Sequence, residues 1–300
     1  MKKMGAWIAA TALVSASFAF LPLKADADAA PGDVIITLGE DLSADEREMI
    51  LSEMDSDENN TIIEVSNEEE HEYLAEFIPA GKIGSNAISS SKITIKEQDT
   101  GLDVETNNID YVSEGMYANA LITAGVEDAD IYVTAPTTVS GTGALTGLLK
   151  AYETEADVDI SEEQKRVANE EMVQTADLSE RIGTEEATEL MASIKEAIAE
   201  ENVETEEDLR ALIERIADEI GVTLSEEEMD GLVSLFERMQ NLNIDWGQVQ
   251  NQIDHIRDNF DDWINREDTQ NFLQSVLDFF SELIDSAQGW FDGGTESESS

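Results

Sequence analysis

The segment SGTGALTG, residues 140–147, is where residue types and spacing come nearest to recognisable chemistry. Gly141, Gly143 and Gly147 follow a β-branched run and open an apolar helical one, giving G-x-G-x-x-x-G. Glycines at such a junction turn a strand into a helix whose free N–H groups can hold an anion. The spacing is one residue longer than the dinucleotide fingerprint, and Leu148 and Leu149 stand where a P-loop needs Lys and Ser or Thr. Nucleotide binding is therefore not expected. Ser140, Gly141, Thr142 and Gly143 are the candidate ligand-binding residues, although the hydroxyls of Ser140 and Thr142 could equally cap the helix with no ligand at all.

A second stretch, DSDENNTIIEVS at residues 55–66, resembles a calcium loop. Asp55, Asp57 and Asn59 fill its first, third and fifth positions, but Ser66 stands at the twelfth, where a bidentate Glu is required. The half TIIEV also reads as a strand rather than a second helix. An acidic helix-to-strand turn is the better account, with Asp55, Asp57 and Asn59 as candidate calcium ligands. No other cofactor is expected.

Ser89 and Lys92 match the S-x-x-K of penicillin-recognising enzymes, yet the companion motifs S-D-N and K-T-G are missing and Ser89 lies in a strand-like run. The two histidines, His71 and His255, sit in acidic helical contexts and read as surface residues. Paired carboxylates of the glycosidase kind cannot be singled out among 68 acidic residues.

The elements that must position these residues alternate over 33–154. DVIITL and TIIEV read as strands, each followed by a capping-box helix, Ser43 with Glu46 and Ser66 with Glu69. Two strand–helix units in succession imply parallel strands. The runs 87–96 and 101–109, separated by EQDTG, read as a β-hairpin, so the sheet should be mixed. A helix over 113–124 stops at Gly125, and IYVT then supplies the strand before SGTGALTG. The fold class is α/β, a mixed sheet of about five strands with flanking helices.

Beyond residue 155 strand signals vanish. Helical spacing marks 161–182, 185–201, 206–219, 226–241, 246–265 and 268–291, an all-helical C-terminal region that ends in a disordered acidic tail over 293–300. Trp246, Trp263 and Trp290, with Phe272 and Phe280, make the last helices aromatic, and packing against neighbouring helices is expected of them.

Four blocks carry a family resemblance: DVIITLGEDLS, IGSNAISSSKITI, GLDVETNNIDYVSEGMYANALITAGVEDADIYVTAP and SGTGALTGLLKAYE. Together they resemble the YpuA-like family of secreted Gram-positive bacterial proteins over about residues 33–265. The resemblance implies an exported or wall-associated protein whose shared domain has no assigned activity. It carries over no catalytic residue.

The chain opens with Lys2 and Lys3, an apolar stretch over 4–23 and the small residues ADADAA, the layout of a signal peptide cleaved near residue 27. No later segment is apolar enough to span a bilayer. There is no cysteine, which excludes thiol chemistry and cysteine metal sites. A net charge of -51 repels nucleic acid. The expectation is a secreted or cell-wall-associated, non-enzymatic protein that binds an envelope component. The alternative is an extracytoplasmic hydrolase acting on wall polymer or peptide through carboxylates.

Overall fold

The computed structural model describes residues 30–56, 60–79, 83–156, 158–201 and 203–264. The expected signal peptide, the helical run 268–291 and the tail 293–300 lie outside these residues. The first part runs β1 (Val34–Gly39), α1 (Ala44–Glu53), β2 (Thr61–Val65), α2 (Asn67–Leu74), β3 (Ser90–Ile95), β4 (Leu102–Ile109), α3 (Glu114–Thr123), β5 (Ala129–Val139) and α4 (Ala144–Ala156). Helices α5 (Glu162–Ile182), α6 (Thr184–Glu200), α7 (Glu206–Ile220), α8 (Glu226–Asn241) and α9 (Trp246–Ile264) follow. The five-stranded mixed sheet and the helical C-terminal region are those expected. No described helix is long and apolar enough to cross a membrane.

Capping explains where several helices start. Ser43 with Glu46 and Ser66 with Glu69 form the anticipated boxes, and Ser225 with Glu228 and Thr205 with Asp208 cap later helices in the same way. Each pair satisfies N–H groups that a helix start would otherwise leave open.

The sheet order is β2-β1-β3-β5-β4. β1 is parallel to β2, β4 is parallel to β5, and β3 runs antiparallel between β1 and β5. This corrects the hairpin expected from 87–109, because β5 lies between β3 and β4. The reason sits in the connection itself. The Asp128 carboxylate, just ahead of β5, accepts from the N–H groups of Asp99 at 3.1 Å, Thr100 at 2.8 Å and Gly101 at 2.7 Å. The turn-prone EQDTG is therefore anchored to the start of β5 instead of closing β3 onto β4.

Alternation along the strands gives the sheet two unlike faces. Ile35, Ile93, Leu102, Val104, Ile131 and Val133 point to the main core. On the opposite face Ile36 and Leu38 meet Ile50 of α1 and Met54 just after it. Across β3, β5 and β4 that face is polar, and there Glu53 Oε1 accepts from Tyr132 Oη at 2.7 Å, Asn107 Nδ2 at 2.8 Å and Thr134 Oγ1 at 2.8 Å.

All ten residues of α3 are buried, since it is enclosed by β4 and by α5, α6 and α9. The main core accordingly includes Met172 and Val173 of α5, Ala192 of α6, and Val249 and Ile253 of α9 beside the sheet residues. A second core gathers α6, α7 and α8 around Leu190, Ile194, Leu212, Ile213, Leu235 and Phe236. Trp246 is partly buried and touches both. Between the cores lies a charged pair, Glu171 of α5 and Lys195 of α6, with Thr123 Oγ1 donating to Glu171 Oε2 at 2.5 Å.

Candidate functional site

Strands β1, β2, β4 and β5 all point the same way, so their last residues Gly39, Val65, Ile109 and Val139 share one edge of the sheet, where β3 begins at Ser90. Open α/β sheets place ligands at such an edge, beyond the carboxyl ends of the strands. The β5–α4 turn carrying Ser140–Gly143 lies there, beside the start of α2.

Gly141 has φ 83°, a left-handed conformation in which a side chain would be strained. Its carbonyl accepts from Tyr117 Oη at 2.5 Å and from Ala144 N at 3.1 Å, closing the turn. The hydroxyls of Ser140 and Thr142 lie 3.2 Å apart and bond to each other. Gly143 is needed for a different reason, since a Cβ there would collide with Glu70 Oε1. The group pressed against the turn is thus the protein's own carboxyl. Gly147 lets α4 approach the sheet, where a Cβ would lie 3.0 Å from Thr37 Oγ1.

Glu70 is 3% exposed. Burial pushes its carboxyl up to about 7; the Asn67 amide, donating at 3.2 Å, opposes the shift, and the charges of Asp41 and Glu69 add to it. Its neighbour Glu69 is held below the usual carboxylate range: burial would raise it, but the Lys150 ammonium and the Ser66 donors outweigh that effect. Two adjacent residues on α2 therefore carry carboxyl groups of opposite protonation tendency.

One turn further along α4 a cavity of about 230 Å³ opens between α2, α4 and α5. Thr146, Leu149, Lys150 and Glu153 form one wall, Glu69, Glu72 and Tyr73 the second, and Lys165 and Asn169 the third. Lys150 Nζ lies 2.5 Å from Glu69 Oε1 and donates to the Glu64 carbonyl at 2.9 Å. Lys165 Nζ lies 2.7 Å from Glu153 Oε2 and 3.0 Å from Glu162 Oε1. Burial alone would lower the Lys165 ammonium, yet those carboxylates hold it well above its ordinary value. Thr146 is 5% exposed and Asn169 fully buried, and Thr146 Oγ1 and Asn169 Oδ1 have no hydrogen-bond partner among the described residues.

The remaining sequence candidates lie apart from this cavity. Asp55 follows α1 with φ 49°, and Asp57 and Asn59 lie outside the described residues. Among the described residues no group of three or more His, Asp or Glu side chains is arranged to hold a metal. His71 Nε2 is 3.0 Å from the Gly84 carbonyl, and His255 packs against Gly101. Lys92 Nζ donates to the Met54 carbonyl at 2.7 Å, so its amine is engaged by the residue that ends α1.

Sequence reasoning passed over Glu70, Tyr117, Thr146, Lys150, Lys165 and Asn169. In NEEEHEYL nothing distinguishes Glu70 from its acidic neighbours. The lysines did leave a signal: with 17 basic residues in the whole chain, two meeting at one cavity is a departure from its composition.

Comparison with known proteins places the chain within a wider group. The family described as "Protein of unknown function (DUF1002)" matches residues 38–256. "Uncharacterized protein YpuA" of Bacillus subtilis (strain 168) is 47% identical over 281 residues, covering 93% of this chain and 96% of that protein. No solved structure matches the chain.

Proposed function

Because the chain belongs to the DUF1002 family of proteins of unknown function, its role has to come from its own residues, and we propose an exported protein of the cell envelope that acts by binding an envelope component. Export is supported by the basic, apolar and small-residue layout of residues 1–30. Binding rests on one observation, the cavity between α2, α4 and α5, where Lys150 and Lys165 meet the carboxylates of Glu69, Glu72 and Glu153. Incubation of the protein with purified cell walls tests the reading: retention on the walls without release of soluble fragments is expected, and no retention would overturn it.

A second reading, hydrolysis of wall polymer or peptide, draws on Glu70 and Glu69, since a carboxylic acid beside a carboxylate is the pairing acid–base chemistry uses. Release of soluble fragments by the protein, lost in Glu70→Gln, would favour it over simple binding.

A further inference from the structure

A second cavity, of about 160 Å³, opens where the end of α3, the start of α5 and the start of α9 meet. From its lining we infer that it takes one ring of a neutral sugar, at a site separate from the cavity between α2, α4 and α5 and not dependent on it. Ile122, Val126 and Val249 make part of the wall apolar. The polar part consists of amides and carboxyls, Gln164, Asn243 and Gln248 with Glu127 and Asp245. All five are exposed or half-buried, so each is accessible from solvent. Composition marks the same place, since Gln164, Gln248 and the buried Gln252 are three of the chain's ten glutamines.

The kinds of group narrow the class. A primary amide donates and accepts, a carboxylate accepts, and a hydroxyl does both. A ring carrying hydroxyls on neighbouring carbons can therefore donate to Glu127 and Asp245 while it accepts from the amides, and its C–H faces suit the aliphatic wall. No Lys, Arg or His stands among the described lining residues, so an anionic guest finds no counter-charge. A metal ion is disfavoured as well, because no group of three or more His, Asp or Glu side chains among the described residues is arranged to hold one. The polar groups are held in position by the fold. Gln164 Nε2 donates to the Thr123 carbonyl at 3.0 Å, which occupies one of its two protons. Asp245 Oδ1 accepts from the N–H groups of Gly247 at 3.1 Å and Gln248 at 3.2 Å, which fixes it at the start of α9. Burial raises the Glu127 carboxyl and the Gln248 amide opposes the shift, so a hydroxyl donating to Glu127 replaces water that the carboxyl has lost. The volume is below the roughly 300–1,000 Å³ of sites for drug-sized molecules and suits a single ring.

Isothermal titration of the full chain with glucose, N-acetylglucosamine, its linear trisaccharide, glucosamine and calcium chloride tests the inference. Saturable binding of at least one of the neutral sugars is expected, weakened about fivefold or more in Gln164→Met and in Gln248→Met, as loss of a neutral hydrogen bond implies. Asp245→Asn keeps the cap of α9, because Asn caps as well as Asp, and should weaken binding while leaving the melting temperature within a few degrees. A trisaccharide that binds at least as tightly as the single sugar points to glycan chains as the source of the ring, and one that is excluded points to free sugar; either outcome supports the site. No binding of any neutral sugar, binding of calcium or of the cationic glucosamine alone, or binding that all three variants leave unchanged would overturn it.

Discussion

Lys195 Nζ lies 2.5 Å from Glu171 Oε1 and donates to the Asn119 carbonyl at 2.7 Å, with Lys195 1% exposed and Glu171 fully buried. Burial pushes the Glu171 carboxyl up and the Lys195 ammonium down, and each charge opposes the shift of the other. Removing one partner strands the other, which costs about 3–5 kcal/mol, whereas replacing both with apolar residues is often neutral or better. Lys195→Met should therefore destabilise the protein by about that much, and adding Glu171→Leu should recover most of it. Urea titration of the wild type, both single variants and the double variant measures the coupling; strictly additive losses would show that the pair does not act as a unit.

Glu70 predicts a pH dependence. Its folded-state carboxyl is raised to about 7 by burial, against an ordinary 4.5. Between those values the folded protein holds more protons than the unfolded chain, so this group's stabilising contribution is complete below the lower value and is lost as pH rises through the upper one. The loss is on the order of 3 kcal/mol. Glu70→Gln should match the wild type near pH 4.5 and exceed it in melting temperature at pH 8. A constant difference across that range would contradict the assignment.

Gly143→Ala should destabilise by about 1–3 kcal/mol, the cost of overpacking, because the new methyl meets Glu70 Oε1. Combining it with Glu70→Ser makes room and should return part of the loss. If the double variant is as unstable as the sum of the two singles, the collision is not what makes the glycine necessary.

Asp128→Ala removes the acceptor for three N–H groups in the connection 96–101. Amide exchange at Asp99, Thr100 and Gly101 should accelerate, with a stability loss of about 2 kcal/mol or more, since hydrogen bonds to a charged group contribute about 1.5–3 kcal/mol each and water replaces some of them. Unchanged protection at these three amides would rule out the anchoring role given to Asp128.

Much of the architecture was legible because it is written in local signals. Capping pairs such as Ser66 with Glu69 and Ser225 with Glu228 mark helix starts within four residues of sequence, and β-branched runs such as TIIEV mark strands. The order of the strands was not legible. EQDTG carries the composition of a tight turn, and nothing within it reveals that Asp128, 27 residues beyond Gly101, collects its amides. The site divides in the same way. SGTGALTG announces a strand-to-helix turn, and Gly141 and Gly143 are glycines for reasons of shape. That the shape is dictated by Tyr117 and Glu70 depends on contacts between residues far apart in the chain. Asn169 and Thr146 are ordinary helical residues until α2, α4 and α5 enclose them.

The main core gathers sheet residues such as Ile131 and Val133 together with Met172, Ala192 and Ile253 from the helical region. Strands and helices that look like separate territories in sequence thus share one hydrophobic interior. A chain cut after α4 would leave Tyr117, Leu121 and their neighbours facing water, and no fragment of that kind should be recoverable from limited proteolysis as a stable piece. The protein is expected to melt in a single cooperative step, and whatever loosens the carboxyl-terminal helices also loosens the ground on which the cavity stands.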